Sequence, residues 1–145
     1  MPDICFRTDA FPTEPEGDLE YCNGMPGSQV AGWVRGALVN KGYTCREQLQ
    51  EDYGWGFWVD ADGCSIWVYA GHAAPAEGEP AGVPEWHVGV DHDFPPWALR
   101  QWLRRRQGRD LARRIFLIVR ELIVSHPGVT VQEQQDAAPG READA

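Results

Sequence analysis

Two segments that alternate apolar and polar residues on either side of a turn constrain the fold of this chain most strongly. The alternation covers residues 54–70 and is interrupted by the turn sequence Asp60-Ala61-Asp62-Gly63. A period of two residues is typical of β-strands, and an Asp-Gly turn between two such strands is typical of a hairpin. The segment therefore predicts a β-hairpin. The apolar members of the alternation are Trp55, Phe57, Val59, Ile66 and Val68.

Shorter patterns predict further strands around this hairpin. Alternation at residues 4–8 opens the chain with a strand, and a second alternating segment covers residues 86–90 before two prolines. Residues 129–132 are predicted as an edge strand. Residues 12–27 contain several prolines, glycines and carboxylates, and we interpret them as a long loop.

Two helical regions complete the pattern. The first has Ser28 as its predicted N-cap, apolar residues at helical spacing, and Gly42 as its C-terminal cap. The second follows the two prolines and is predicted in two pieces. A break is expected at Gly108, and Asp110 is expected to cap the second, strongly apolar piece, which ends near residue 125.

The order of these elements predicts the fold class. A sequence of β, α, β-hairpin, β and α indicates an α+β fold with two layers, in which a small antiparallel sheet packs against an N-terminal helix and a long C-terminal helix. The 145 residues are enough for one packed core. We therefore assign residues 1–134 to a single α+β domain and residues 135–145 to a disordered tail.

Charge is unevenly distributed along the chain. The formal net charge is −9, yet residues 100–120 carry eight arginines against a single aspartate, Asp110. The rest of the chain is therefore strongly acidic. Such an asymmetry predicts attraction to charged partners, and it leaves open a homodimer in which the two kinds of surface meet.

Several classes of protein are disfavoured by the sequence. No apolar stretch approaches the roughly 20 residues that span a bilayer, and the N-terminus lacks a signal-peptide pattern, so we expect a cytoplasmic protein without a membrane partner. The four cysteines are widely separated and are expected to be free thiols, although their even number leaves two disulfides open. The common nucleotide, hydrolase and zinc-protease motifs are missing, and no cofactor is predicted.

A polar segment at the end of the strand predicted at residues 86–90 is a candidate metal site. His87 and Asp91 would share one face of that strand, whereas His92 would face the opposite way. Because the two histidines diverge, the ligand geometry is poor and no metal site is predicted. Asp91 is retained as a candidate residue for binding a partner.

Adjacent carboxylates beside an aromatic segment form a second candidate. Glu51 and Asp52 immediately precede a run of aromatic residues and glycines that includes Trp55. An acid next to tryptophan can have a raised pKa and act in catalysis, but no second catalytic group is identified. We treat all three residues as candidates for binding, with catalysis by Glu51 and Asp52 as an alternative.

The arginine-rich segment is the third candidate surface. Arg100 and Arg104 lie one helical turn apart and Arg105 follows them, and guanidinium groups suit phosphate or carboxylate. Nucleic-acid binding is one alternative, with Trp97 and Trp102 as stacking groups. The acidic net charge argues against it, and these arginines are equally explained by pairing with internal carboxylates or by exposure on a solvent-facing helix.

The block Glu51-Asp52-Tyr53-Gly54-Trp55, preceded by an amphipathic helix, resembles small uncharacterised bacterial proteins that carry an EDxGW signature. This resemblance transfers no activity and no binding residue. In size and acidity the chain is also similar to toxin-immunity proteins and phage-encoded inhibitors. The leading hypothesis is a small acidic protein-binding module, of the inhibitor or immunity type, that docks onto a basic protein partner.

Overall fold

The computed structural model of this protein describes residues 2–80, 82–92, 99 and 103–132. Within these residues the chain forms one sheet of seven strands and two helices. The helices are α1 (Ser28–Asn40) and α2 (Arg105–Ser125). The strands are β1 (Asp3–Arg7), β2 (Thr44–Cys45), β3 (Leu49–Glu51), β4 (Gly54–Ala61), β5 (Cys64–Ala73), β6 (Glu85–Asp91) and β7 (Thr130–Val131).

The strands pair antiparallel in the order β2-β4-β5-β6-β1-β7, and β3 also pairs with β4. The predicted hairpin is confirmed as β4 and β5. Its turn residues Asp62 and Gly63 have φ angles of 53° and 72°, the left-handed conformation that a two-residue hairpin turn requires. The predicted strands at residues 4–8, 86–90 and 129–132 correspond to β1, β6 and β7.

Both helices pack on the same face of the sheet, which we call the inner face. Burying each large apolar side chain there stabilises the fold by about 1.5–3 kcal/mol. The helical side chains repeat every four residues, so they form a continuous stripe against the sheet. They are Val30, Val34 and Leu38 of α1 and Leu111, Ile115, Val119 and Ile123 of α2. This arrangement confirms an α+β fold.

The first helix is not N-terminal, which corrects the predicted architecture. β1 and residues 8–27 precede it, and its N-cap is Gly27 rather than Ser28. The capping acceptor comes from elsewhere in the chain: the Glu16 carboxylate accepts hydrogen bonds from the backbone N–H groups of Gly27 (2.6 Å) and Ser28 (2.7 Å). It also accepts a hydrogen bond of 2.6 Å from the Ser28 hydroxyl. These bonds attach the 12–27 loop to the start of α1.

The second helix is continuous where a break was predicted. Gly108 lies inside α2, is buried, and donates its backbone N–H to the Arg104 carbonyl at 2.9 Å. Asp110 is likewise an exposed residue within the helix and not its cap. A glycine costs a helix about 1 kcal/mol, and the apolar stripe packed on the sheet offsets this cost.

Part of the predicted organisation lies outside the described residues. This is true of the tail at 135–145 and of residues 97, 98 and 100–102 in the first piece of the second helical region. Among the residues that the structure describes, no helix is both long enough and apolar enough to cross a membrane.

Candidate functional site

Aromatic side chains gather on the second face of the sheet, which we call the outer face. The strand alternation that sends Phe57 and Val68 into the core directs Trp58, Trp67 and Tyr69 to this face. The buried residues of α1 and α2 belong to the core on the inner face. These three aromatic side chains are therefore only partly buried.

Glycines on neighbouring strands allow these rings to lie flat against the sheet. A Cβ atom at Gly56 would collide with the indole of Trp67, and one at Gly89 would collide with the ring of Tyr69. Gly71 underlies the imidazole of His87 in the same way, with a distance of 2.6 Å from its ideal Cβ position to the ring. The row of rings therefore depends on small residues beneath it.

A shallow cleft of about 300 Å³ opens beside this row and is referred to here as the outer cleft. The centroids of the Trp58 and Trp67 rings lie 5.1 Å apart with an angle of 52° between the ring planes. The indole N–H of Trp67 donates a 2.9 Å hydrogen bond to the hydroxyl oxygen of Tyr53. The cleft is lined by Glu51, Tyr53, Trp58, Trp67 and Asp91.

The electrostatic environment of the outer cleft is acidic. Partial burial raises the pKa of Tyr53, and the carboxylates of Glu51 and Asp91 raise it further, while the hydrogen bond from Trp67 acts in the opposite direction. The pKa of Tyr69 is also raised, chiefly by burial and then by Asp3 and Asp91. The negative charge of these carboxylates therefore affects the aromatic side chains on the outer face directly.

A third carboxylate on the outer face, that of Asp60, is paired with a basic side chain. Asp60 accepts hydrogen bonds from the Arg46 guanidinium at 2.7 and 3.0 Å and from the Ser65 hydroxyl at 2.6 Å. The hydrogen bonds from Arg46 are the main reason that the pKa of Asp60 is lowered. Among the described residues, Glu51 and Asp91 are the acidic side chains that line the cleft.

The structure brings together two of the predicted binding residues and separates two others. Glu51 and Asp91 come from distant segments and meet in the outer cleft. Asp52 is exposed in the turn between β3 and β4 and is not part of the cleft lining. Trp55 packs against the inner-face core and donates its indole N–H to the Met25 carbonyl at 3.1 Å, so it holds the 12–27 loop. Glu51 and Asp52 therefore do not form a pair of carboxylates in one cleft.

Two of the three arginine candidates, Arg104 and Arg105, lie on the helical side of the sheet. Arg105 begins α2, and Arg104, just before it, lies so close to the β4–β5 turn that a Cβ at Gly63 would collide with its guanidinium. Arg114 forms an ion pair of 2.9 Å with Asp62 of the same turn. Arg100 lies outside the described residues.

The described residues around the two candidate histidines do not supply a set of metal ligands. Within residues 2–80, 82–92, 99 and 103–132, no group of three or more His, Cys, Asp or Glu side chains is placed to hold a metal ion. His87 instead packs beside Tyr69, with ring centroids 6.2 Å apart. Its pKa is lowered, mainly because burial disfavours the charged form.

Tyr53, Trp58 and Trp67 were not predicted as site residues. Their signal was present in the sequence: if Phe57, Val59, Ile66 and Val68 face the core, then Trp58 and Trp67 must face away from it.

Comparison of the chain with protein-family models, curated proteins and solved structures finds no match. The case for a function therefore depends on the geometry of the outer cleft.

Proposed function

We propose that this chain is a small acidic protein-binding module that docks onto a basic protein partner through the outer face of its sheet. The observation that carries the proposal is the outer cleft, where two carboxylates flank two tryptophans and a tyrosine on the face opposite the helices. Tryptophan and tyrosine are enriched at the centres of protein interfaces. A module that covers a basic surface in this way fits an inhibitor or immunity-type role.

Charge supports a basic partner rather than an acidic one. The chain has a formal net charge of −9, and among the described residues that line the cleft two are acidic, Glu51 and Asp91, and none is basic. Complementary charge increases the rate of encounter, and this effect is weakened by salt. Docking through this surface should therefore be faster at low salt than at high salt.

The test is purification of the tagged chain from its native cells, followed by kinetics with the captured protein. We expect a stoichiometric partner of high isoelectric point, and Glu51→Lys should slow its association at least tenfold at low salt. Glu121→Lys is the matched control. Glu121 is exposed on α2, and its substitution makes the same change of charge on the helical side of the sheet. Equal association rates for the two variants would contradict the proposal.

Nucleic-acid binding is the second candidate function, and exposed arginines on α2 favour it. Arg105, Arg109 and Arg113 follow one another at intervals of four residues and are all exposed. A phosphate backbone on this surface would give an affinity that falls steeply with salt. Binding of a labelled oligonucleotide at several salt concentrations tests this, and Arg109→Ala with Arg113→Ala should reduce the salt dependence. Absence of binding at low salt would exclude it.

A further inference from the structure

The rings of the outer cleft are held in fixed orientations. Trp67 lies across Gly56, packs on Trp58, and has its indole N–H hydrogen-bonded to Tyr53. Its polar atom is therefore satisfied within the protein, and what it offers to a partner is its ring surface. A preorganised aromatic surface costs little conformational entropy when a ligand binds to it.

The carboxylates of the cleft select the charge of the ligand. Within the described residues, no ion pair joins Glu51 to a basic side chain, whereas the nearby Asp60 is already paired with Arg46. A cation that enters the cleft would lie beside two carboxylates and against aromatic rings. Both contacts favour positive charge, since the face of an aromatic ring carries negative potential.

The size and openness of the cleft favour one long side chain. A volume of about 300 Å³ is at the lower end of small-ligand sites, so it accommodates a side chain rather than a folded segment. A guanidinium group is planar, is weakly hydrated, stacks on aromatic rings and can bond to a carboxylate at the same time. A lysine ammonium group is compact and strongly hydrated, and it makes poorer use of such a surface.

We infer that the outer cleft binds the side chain of one arginine of the basic partner, with its guanidinium packed against the indoles of Trp58 and Trp67 and bonded to the carboxylate of Glu51, while the nearby carboxylate of Asp91 adds negative charge to the cleft. This inference rests on the proposed function, and it adds the residue type that the partner must present. The arginine would act as the anchor of the interface, and the surrounding acidic surface would guide it into the cleft.

The test is a titration of the ¹⁵N-labelled chain at constant ionic strength with two blocked tripeptides, acetyl-Gly-Arg-Gly-amide and acetyl-Gly-Lys-Gly-amide. The indole N–H signals of Trp58 and Trp67 are the readout, assigned with Trp58→Phe and Trp67→Phe. We expect saturable shifts of these two signals and binding of the arginine peptide about threefold tighter than that of the lysine peptide. Glu51→Gln, which leaves the rings in place, should weaken arginine binding about threefold, whereas Glu121→Gln should leave it unchanged.

Three results of the titration would overturn the inference. They are equal binding of the two peptides, shifts that do not saturate, and shifts that Glu51→Gln leaves unchanged. A dimer detected by sedimentation that Glu51→Gln dissociates would also overturn it, because arginines of a second copy would then occupy the cleft.

The peptide titration and the partner experiment test separate claims, so failure of one does not imply failure of the other. The peptides need no partner, so arginine binding can be observed even if no basic protein is captured from cells. Conversely, capture that depends on Glu51 together with equal binding of both peptides would keep the proposed function and remove the arginine anchor.

Discussion

The indole N–H of Trp67 is joined to the hydroxyl oxygen of Tyr53 by a hydrogen bond of 2.9 Å. Trp67 belongs to β5, while Tyr53 lies in the short turn between β3 and β4. The bond therefore connects the turn to the middle of the sheet. Because Glu51 ends β3 just before this turn, the same bond helps to hold its carboxylate beside the aromatic rings.

Tyr53→Phe should loosen the outer cleft without disturbing the core. The substitution removes the acceptor for Trp67, and because Tyr53 is 43% exposed, water can replace it. We expect a loss of about 0.5–1 kcal/mol in the free energy of unfolding and faster solvent exchange of the Trp67 indole proton. Urea unfolding and indole proton exchange measure the two effects. Tyr21→Phe is the control, since Tyr21 is 85% exposed, and an equal loss there would contradict this explanation.

The candidate site was only partly predictable from the sequence. The sequence places Glu51 beside an aromatic segment and Asp91 at the end of a polar strand, but nothing in their sequence separation indicates that they share a cleft. That proximity depends on strand register, which places Asp91 opposite Trp67 and Trp67 opposite Trp58. Register depends on how several strands pair, so it cannot be inferred from the sequence of a single strand.

Gly56→Ala should disrupt the aromatic row. The added Cβ would occupy space taken by the rigid indole of Trp67, so the ring must move or the strand must bend. We expect a loss of about 1–3 kcal/mol in the free energy of unfolding and a displaced indole signal for Trp67. Chemical denaturation and NMR spectroscopy check this.

Gly36→Ala is the matched control for that substitution. Gly36 lies in α1, and a Cβ there meets no described atom within 4 Å. Alanine is a better helix former than glycine, so this variant should gain about 0.5–1 kcal/mol. A similar loss in both variants would show that contact with Trp67 is not the cause.

The fold was more predictable than the site because its signals are local. Neighbouring residues predict the hairpin, because the turn at Asp62 and Gly63 is flanked directly by the alternation of its two strands. The errors concern helix ends. Gly108 was read as a break because glycine is a poor helix former, whereas packing of α2 on the sheet determines the outcome. The cap of α1 could not be predicted at all, since its acceptor, Glu16, is remote in sequence.

Glu16→Gln should destabilise the chain through the start of α1. The Glu16 carboxylate accepts three hydrogen bonds at the N-terminus of this helix, and the helix dipole favours a negative charge there. An amide keeps the shape but loses the charge, so we expect a loss of about 1–2 kcal/mol in urea unfolding. Glu14→Gln, at an exposed position in the same loop, should change stability by less than about 0.5 kcal/mol. Equal losses would show that the overall charge of the loop, and not the cap, is responsible.

Stability should decrease in mild acid because of two partly buried histidines. Burial is the main cause that lowers the pKa of His72 and of His87 from the ordinary value of 6.5. For His72 the neighbouring His87 adds to this effect, whereas Asp3 and Glu85 oppose it for His87. The unfolded chain therefore binds protons more readily than the folded chain does as the pH falls below 6.5.

The stabilisation by the neutral histidines is complete above pH 6.5 and is lost as the pH falls through their lowered pKa values. Urea unfolding between pH 6.5 and pH 5 should show a free energy that falls with pH, and His72→Gln with His87→Gln should flatten this dependence. The pKa of Asp60 is lowered from its ordinary value of 3.8, so this carboxylate affects stability only below that pH. It does not contribute to the change between pH 6.5 and pH 5. At pH 8 His72 and His87 are neutral in both the folded and the unfolded state, so stability measured there gives the reference for each variant. A double variant that keeps the full decrease below pH 6.5 would assign the acid sensitivity to other groups.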